Sequence, residues 1–332
     1  MKSIDFGYRE DYDKKGVPES GGMYAISDAH ASELRRKLMI NMEENDYRIP
    51  KLILFLGVFS ASLSSAFVKS MTAPSSVAAT YRLGLTVLLM TPVVLMKPDH
   101  RKELCALKPR DVMFCAMSGF FFAFHLYVWF ESLKYTSVSS STVLVNTEVI
   151  FAALGYILFF GKRLKKGEWI AIGVALLGSV IIATADGGGE GGALKGDILA
   201  AAAAAFTAIY TLIGTRERDH ISTTVYTYIL YSGSFLTLLA VDLVTGTPLL
   251  GYEPIDWIMA LCMAVFCTLL GHSVFSWSLK YLTPTYVSTV KLAGPVFASV
   301  TAVFLFHEIP GVMQVFGALV VLLGVYLYAR QK

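Results

Sequence analysis

Ser132-Leu133-Lys134-Tyr135 returns as Ser278-Leu279-Lys280-Tyr281, 146 positions further along the chain. The same offset carries Phe151-Ala152 onto Phe297-Ala298 and Phe160 onto Phe306. It also carries Leu176-Leu177-Gly178 onto Leu322-Leu323-Gly324 and Ala183 onto Ala329, with no gap. Matches held at one spacing over so long a stretch mark an internal duplication. Leu52, which opens the first long apolar run, maps onto Ile198, so a second unit begins there.

Hydropathy says what each unit contains. At 332 residues, 55% hydrophobic and 16% charged, the chain lies outside the soluble class. A helix needs ~20 apolar residues to span ~30 Å of hydrocarbon. The runs that meet this are approximately Leu52–Val68, Pro74–Met96, Val112–Phe130, Val138–Phe160, Trp169–Ala185, Ile198–Gly214, Thr223–Val241, Ile255–Leu279, Thr283–Phe306 and Val312–Ala329. They are continuous rather than alternating, which excludes a membrane β-barrel. The expected fold is therefore an all-α membrane protein of about ten transmembrane helices. Residues 52–185 and 198–330 form two five-helix repeats, after a polar tail over residues 1–48. An odd number of spans per unit inverts the second copy.

Charge tests that inversion without using the alignment. Alternate connections are basic: Lys97, Arg101, Lys102, Lys108 and Arg110, then Lys162, Arg163, Lys165 and Lys166, then Arg216 and Arg218, then Lys280, then Arg330 and Lys332. Basic connections stay cytosolic, so both termini are expected there, in a multi-pass protein of the cell membrane. Lys162-Arg163-Leu164-Lys165-Lys166 maps onto the cation-free Glu308-Ile309-Pro310-Gly311-Val312, as equivalent loops on opposite faces require. The formal charge of +3 belongs to these loops rather than to a basic face, so no nucleic-acid partner is expected. Cys105, Cys115, Cys262 and Cys267 lack disulfide or zinc spacing and read as packing residues. Two readings of the start stay open: a solvated cytosolic tail, or translation beginning at Met39 or Met42.

Several motifs resemble the EamA-like family of the drug/metabolite transporter superfamily. They are Tyr81-Arg82-Leu83, His125 with Trp129, SLKYTSVSSSTVLV from Ser132, GHSVFSWSLKY from Gly271 and KLAGPVFASVTAVFLFHEI from Lys291. The resemblance covers the chain from Leu52 onward, and it implies ten helices in two inverted halves and a transport function. Two departures stand out. The fourth helix ends in Gly161-Lys162 where the family usually has glycine and an acid, and it carries Glu148-Val149 where the family often has proline.

An ionisable group near the bilayer centre costs ~2.5 to 3.5 kcal/mol, so one that persists faces a cavity or a partner. Glu148 and Lys291 are the leading cases. Glu148 maps onto Gly294, and Lys291, three residues before it, shares nearly the same helix face. Either the pair lines a substrate cavity or it is an ion pair that locks the halves. His125 and His272 are separated by one residue more than the repeat offset, which rotates one relative to the other by ~100°, so they are not a symmetric pair. Trp129, Asn146 and Arg82 complete the candidate cavity set, Arg82 within reach of the interface by snorkelling. The serines at 60, 62, 64 and 65 and at 139–141 read as close-packing positions, and the aromatics Tyr127, Trp129, Phe275 and Trp277 as interfacial anchors more than cavity walls.

Catalytic signatures fail. His307-Glu308 lacks the closing histidine of a zinc-protease motif, Gly311 standing in its place. The glycines at 187–192 lack a phosphate-loop ending. No catalytic residue, metal or cofactor is expected, with proton coupling left open. The expected function is secondary transport of a small organic metabolite, an amino acid, amine or drug-like solute, outward by alternating access. A membrane-embedded enzyme and a non-transporting receptor or scaffold are the rival classes. The expected partners are the small-molecule substrate and the lipid bilayer, with monomer and homodimer both open.

Overall fold

The computed structural model describes residues 48–331 except 137, 186–192, 298–299 and 302–310. The proposed tail up to residue 47, the glycines at 187–192 and the pair His307-Glu308 lie outside the described residues. Every regular element among the described residues is helical. Among the described residues seven helices are long and apolar enough to cross a membrane: α1 Arg48–Lys69, α2 Ser75–Met96, α3 Pro109–Ser132, α4 Ser141–Phe160, α6 from Leu194 to Glu217, α7 Thr223–Thr245 and α8 Pro254–Ser278. Between and after them lie α5 Lys166–Ala185, α9 beginning Pro284–Lys291, and α10 Val312–Ala329. A polar helix, Pro98–Ala106, with no buried residue connects α2 to α3.

Local chemistry sets the ends. Proline stands at the first turn of α3, α8 and α9, where its missing N–H costs nothing. Ser222 and Thr283 cap α7 and α9 through their hydroxyls. Gly161 and Gly246 end α4 and α7 at φ of 63° and 67°, a left-handed turn open to glycine. Large apolar side chains such as Leu88, Leu158, Phe159, Leu243 and Val244 stay exposed, which suits a lipid-facing perimeter and no aqueous one.

The packing maps onto itself when the halves are exchanged. Helix α2 packs on α7, α4 on α9 and α5 on α10, each on its own counterpart. Helix α3 packs on α6 and α7, while α8 packs on α2 and touches α1, where Gly271 meets Ala61 and Ser60 Oγ donates to the Phe266 carbonyl at 2.8 Å. The correspondence reaches single residues. A Cβ on Gly178 would lie 2.5 Å from the Val321 nitrogen, and one on Gly324 would lie 2.4 Å from the Ala175 nitrogen. Both contacts are one contact under the 146-residue offset. Glycine is required at both because the backbones of α5 and α10 touch.

Helices α4 and α9 are both broken, at equivalent positions. In α4 the Thr147 N–H donates to Leu144 O at 3.1 Å, separating Val138–Asn146 from Glu148–Phe160. In α9 the Ala293 N–H donates to Val290 O at 3.0 Å, just after Lys291. The second break has a covalent cause, because Pro295 has no N–H for the Lys291 carbonyl and its ring crowds that oxygen. The first has none; there the Thr147 hydroxyl bonds Leu144 O at 2.6 Å and holds the tight turn.

Helix α8 departs from α3 in one respect. It has 25 residues against 24, and Met263–His272 winds as a π-helix, which takes up the extra residue.

Candidate functional site

A cavity opens at the two helix breaks. Its walls come from α1, α3, α4, α8 and α9 and include His125, Trp129, Asn146, Glu148, His272 and Lys291. Glu148 opens the second piece of α4 and Lys291 closes the first piece of α9, so each charge sits at a break. Lys291 Nζ donates to Glu148 Oε1 at 2.6 Å. Glu148 is 1% exposed, and its other oxygen, Oε2, lacks a hydrogen-bond partner of good geometry, although the Ser288 hydroxyl lies beside the carboxylate. The ammonium also lies 5.2 Å from the centre of the Phe275 ring, a cavity wall.

The other groups leave polar atoms in reserve. Asn146 Nδ2 and Trp129 Nε1 are buried without a partner among the described residues, which in a low-dielectric site costs ~1 to 3 kcal/mol each unless something arrives to accept from them. The Trp129 indole lies parallel to the His125 imidazole, 3° between planes and 6.1 Å between centres. His125 shares a 2.6 Å bond between Nδ1 and Thr207 Oγ1, and that hydroxyl donates to Ala203 O at 2.9 Å. This run of hydrogen bonds is satisfied with a proton on His125 Nδ1. The two histidine rings meet edge to face at 6.1 Å. They come together although they are not equivalent: Gly271, not His272, occupies the place of His125, and Ala61 that of Thr207.

Arg82 is elsewhere. It does not snorkel: it is 0% exposed, packed among α1, α3 and α8, with Nε on Thr268 Oγ1 at 2.7 Å and Nη1 on Ser64 Oγ at 3.0 Å. No carboxylate pairs with it among the described residues. Ser64 lines the cavity, so the guanidinium stands one hydroxyl behind its wall. The serine face of α1 divides: Ser60 packs against α8, while Ser62, Ser64 and Ser65 line the cavity. Small residues at helical spacing signal close approach, and here the approach stops short, with the Ser62 hydroxyl bonded to the Phe59 carbonyl and that of Ser64 to Arg82. Trp129 and Phe275 are cavity walls rather than anchors at the membrane surface.

The match to known proteins follows the two halves. The model of the EamA-like transporter family fits residues 49–184 and again residues 194–330. The chain belongs to the EamA-like transporter family. Among its relatives, an uncharacterized transporter of Archaeoglobus fulgidus is 25% identical over 61% of this chain and 71% of its own length. An uncharacterized transporter of Clostridium kluyveri is 26% identical over 58% of this chain and 64% of its own length. The pseudopaline exporter of Pseudomonas aeruginosa is 22% identical over 85% of this chain and 96% of its own length. A solved crystal structure superposes with a TM-score of 0.69 over 85% of this chain and 99% of that one, at 16% identity, which speaks for the fold alone. Membership makes the chain a multi-pass membrane transporter of the drug/metabolite type.

Proposed function

We propose that this protein exports a small zwitterionic metabolite as a secondary transporter, its ten helices spanning the cell membrane as two inverted halves that alternate access around the cavity. The observation that carries the reading is the Lys291–Glu148 pair at 2.6 Å, set where α4 and α9 are both broken. Interrupted helices near the midplane are where such transporters bind their cargo. A substrate carboxylate would take Lys291 and its amine would take Glu148, replacing one ion pair by two. Such an exchange offers a zwitterion what neither a simple cation nor an anion obtains. Asn146 and Trp129 hold unused donors for the remaining polar groups. The outward direction rests on the relative named as an exporter, and both termini in the cytosol rest on the placement of Lys and Arg. Glu148 is also the group through which protons would couple to transport.

The purified chain in liposomes, loaded with labelled amino acids, amines and sugars in parallel, tests the reading. Efflux selective for zwitterions, lost in Glu148→Gln, is the expected result. Equal movement of amines and sugars, or full activity in Glu148→Gln, refutes the substrate class. Topology has its own check. A cysteine placed at Lys165 should stay closed to an impermeant reagent outside the cell and one at Gly188 should react; labelling of both from one side refutes the inversion.

A further inference from the structure

Away from the cavity, where α3 begins and α6 ends, Asp111, Glu217 and His220 bring three ligand atoms within 4.8 Å of one another. We propose that these three side chains bind a divalent transition-metal cation and so clasp the start of α3, in the first half, to the end of α6, in the second.

The distances are those of an unfilled coordination shell. His220 Nε2 is 3.6 Å from Asp111 Oδ1 and 3.6 Å from Glu217 Oε2. That is too long for a hydrogen bond in either direction. Ligands held at about 2.1 Å around a tetrahedral ion stand about 3.4 Å apart, so the two spacings from His220 are close to what such an ion needs, and the two carboxylates lie within 4.8 Å of each other. Glu217 supplies the independent observation. It is 1% exposed, and Oε2, the oxygen turned toward His220, is buried with no hydrogen-bond partner among the described residues. A buried carboxylate oxygen left so is costly unless a cation satisfies it.

The surroundings hold the site without filling it. Arg216 Nε reaches the opposite oxygen of the same carboxylate, Oε1, at 3.9 Å. The Arg110 and Arg216 guanidinium groups lie 5.6 Å and 4.8 Å from the Phe114 ring. The turn carrying His220 is fixed from behind. Arg218, 2% exposed, donates to the Ile221 carbonyl and, at 3.1 Å, to that of Ser276. Ser222 N donates to Glu103 Oε1 at 2.5 Å. Little ordering remains to be done when an ion enters. One imidazole and two carboxylates suit zinc and its first-row neighbours over calcium or magnesium, which prefer oxygen alone. His220 is half exposed, so an ion can reach the site from the aqueous side.

The test uses the full chain in lipid nanodiscs, stripped with a chelator and titrated with zinc chloride against a chromophoric competitor. One zinc per chain should be lost, or its affinity lowered by about tenfold or more, in both His220→Ala and Asp111→Asn. Zinc should raise the melting temperature of the parent chain and leave that of His220→Ala unmoved. Glu217→Gln is avoided because its burial risks misfolding. Stoichiometry unchanged in both variants would overturn the proposal. So would a parent chain that binds no zinc.

Discussion

The packing of α5 on α10 and the breaks of α4 and α9 both obey the repeat, but they obey it differently. Gly178 against Val321 and Gly324 against Ala175 are the same contact made twice, with small or apolar residues on both sides. At the breaks the hydrogen bonds repeat, Leu144 to Thr147 and Val290 to Ala293, while the charges beside them are opposite, Glu148 in one half and Lys291 in the other. Backbone geometry has been kept in duplicate and side-chain chemistry has diverged. Ser132 Oγ bonds Ser141 at 2.6 Å, yet Val287 stands at the position equivalent to Ser141, and the hydroxyl of Ser278 has no partner among the described residues. Under the proposed function, a symmetric frame around an asymmetric site would let the two halves rock alike and still bind a cargo with unlike ends.

The largest expected effect breaks the asymmetric side of this comparison. Removing one member of the Lys291–Glu148 pair strands the other charge in a low-dielectric cavity, at a cost of ~3 to 5 kcal/mol. Glu148→Gln and Lys291→Met should each lower membrane abundance and abolish efflux. Combined, they should restore abundance, because no charge is left stranded, while efflux stays lost. Quantitative immunodetection beside efflux from the same vesicles reads both. Full efflux in the double variant would make the pair a lock between the halves and nothing more.

The next effect tests the symmetric side. An added methyl at Gly178 or Gly324 meets a backbone nitrogen of the facing helix at 2.5 or 2.4 Å, so α5 and α10 must separate. Gly178→Ala and Gly324→Ala should each destabilise by ~1 to 3 kcal/mol, and by nearly equal amounts. Melting followed by size exclusion in detergent measures this. A large cost at one glycine alone would show that the two contacts are not equivalent in energy, whatever their geometry.

Much of this frame was legible in the chain, because a duplication writes itself into sequence as a constant offset and membrane helices as unbroken apolar runs. Glu148 and Lys291 were legible as a pair for the same reason, being charges where charge is expensive. The break after Lys291 has a written cause in Pro295, but the one at Thr147 has none, since a threonine hydroxyl folds back on its own helix in many intact helices. The meeting of His125 and His272 was hidden because a separation one residue off the repeat argues against equivalence, and contact across a cavity does not need equivalence. The π segment of α8 shows only as one residue more than α3 holds. Arg82 was misplaced by a rule of depth. Snorkelling needs an open path to the surface, and its path is closed by α1, α3 and α8.

The smallest effect sharpens the comparison at one hydrogen bond. His125 leans on Thr207 at 2.6 Å, and the equivalent contact in the other half is Gly271 against Ala61, with no polar group at all. That half packs without the bond, so the bond serves the orientation of His125 more than the frame. Thr207→Val removes the hydroxyl and keeps the shape. His125 Nδ1 still has the Ala203 carbonyl at 3.2 Å, so the loss should be only ~0.5 to 1.5 kcal/mol. The ring is then free to turn away from Trp129, with which it now lies parallel on the cavity wall. Efflux should fall several-fold while the melting temperature barely moves, and Thr207→Ser should restore it. Equal losses of efflux and stability would return His125 to a packing role and leave the cavity chemistry to the charged pair.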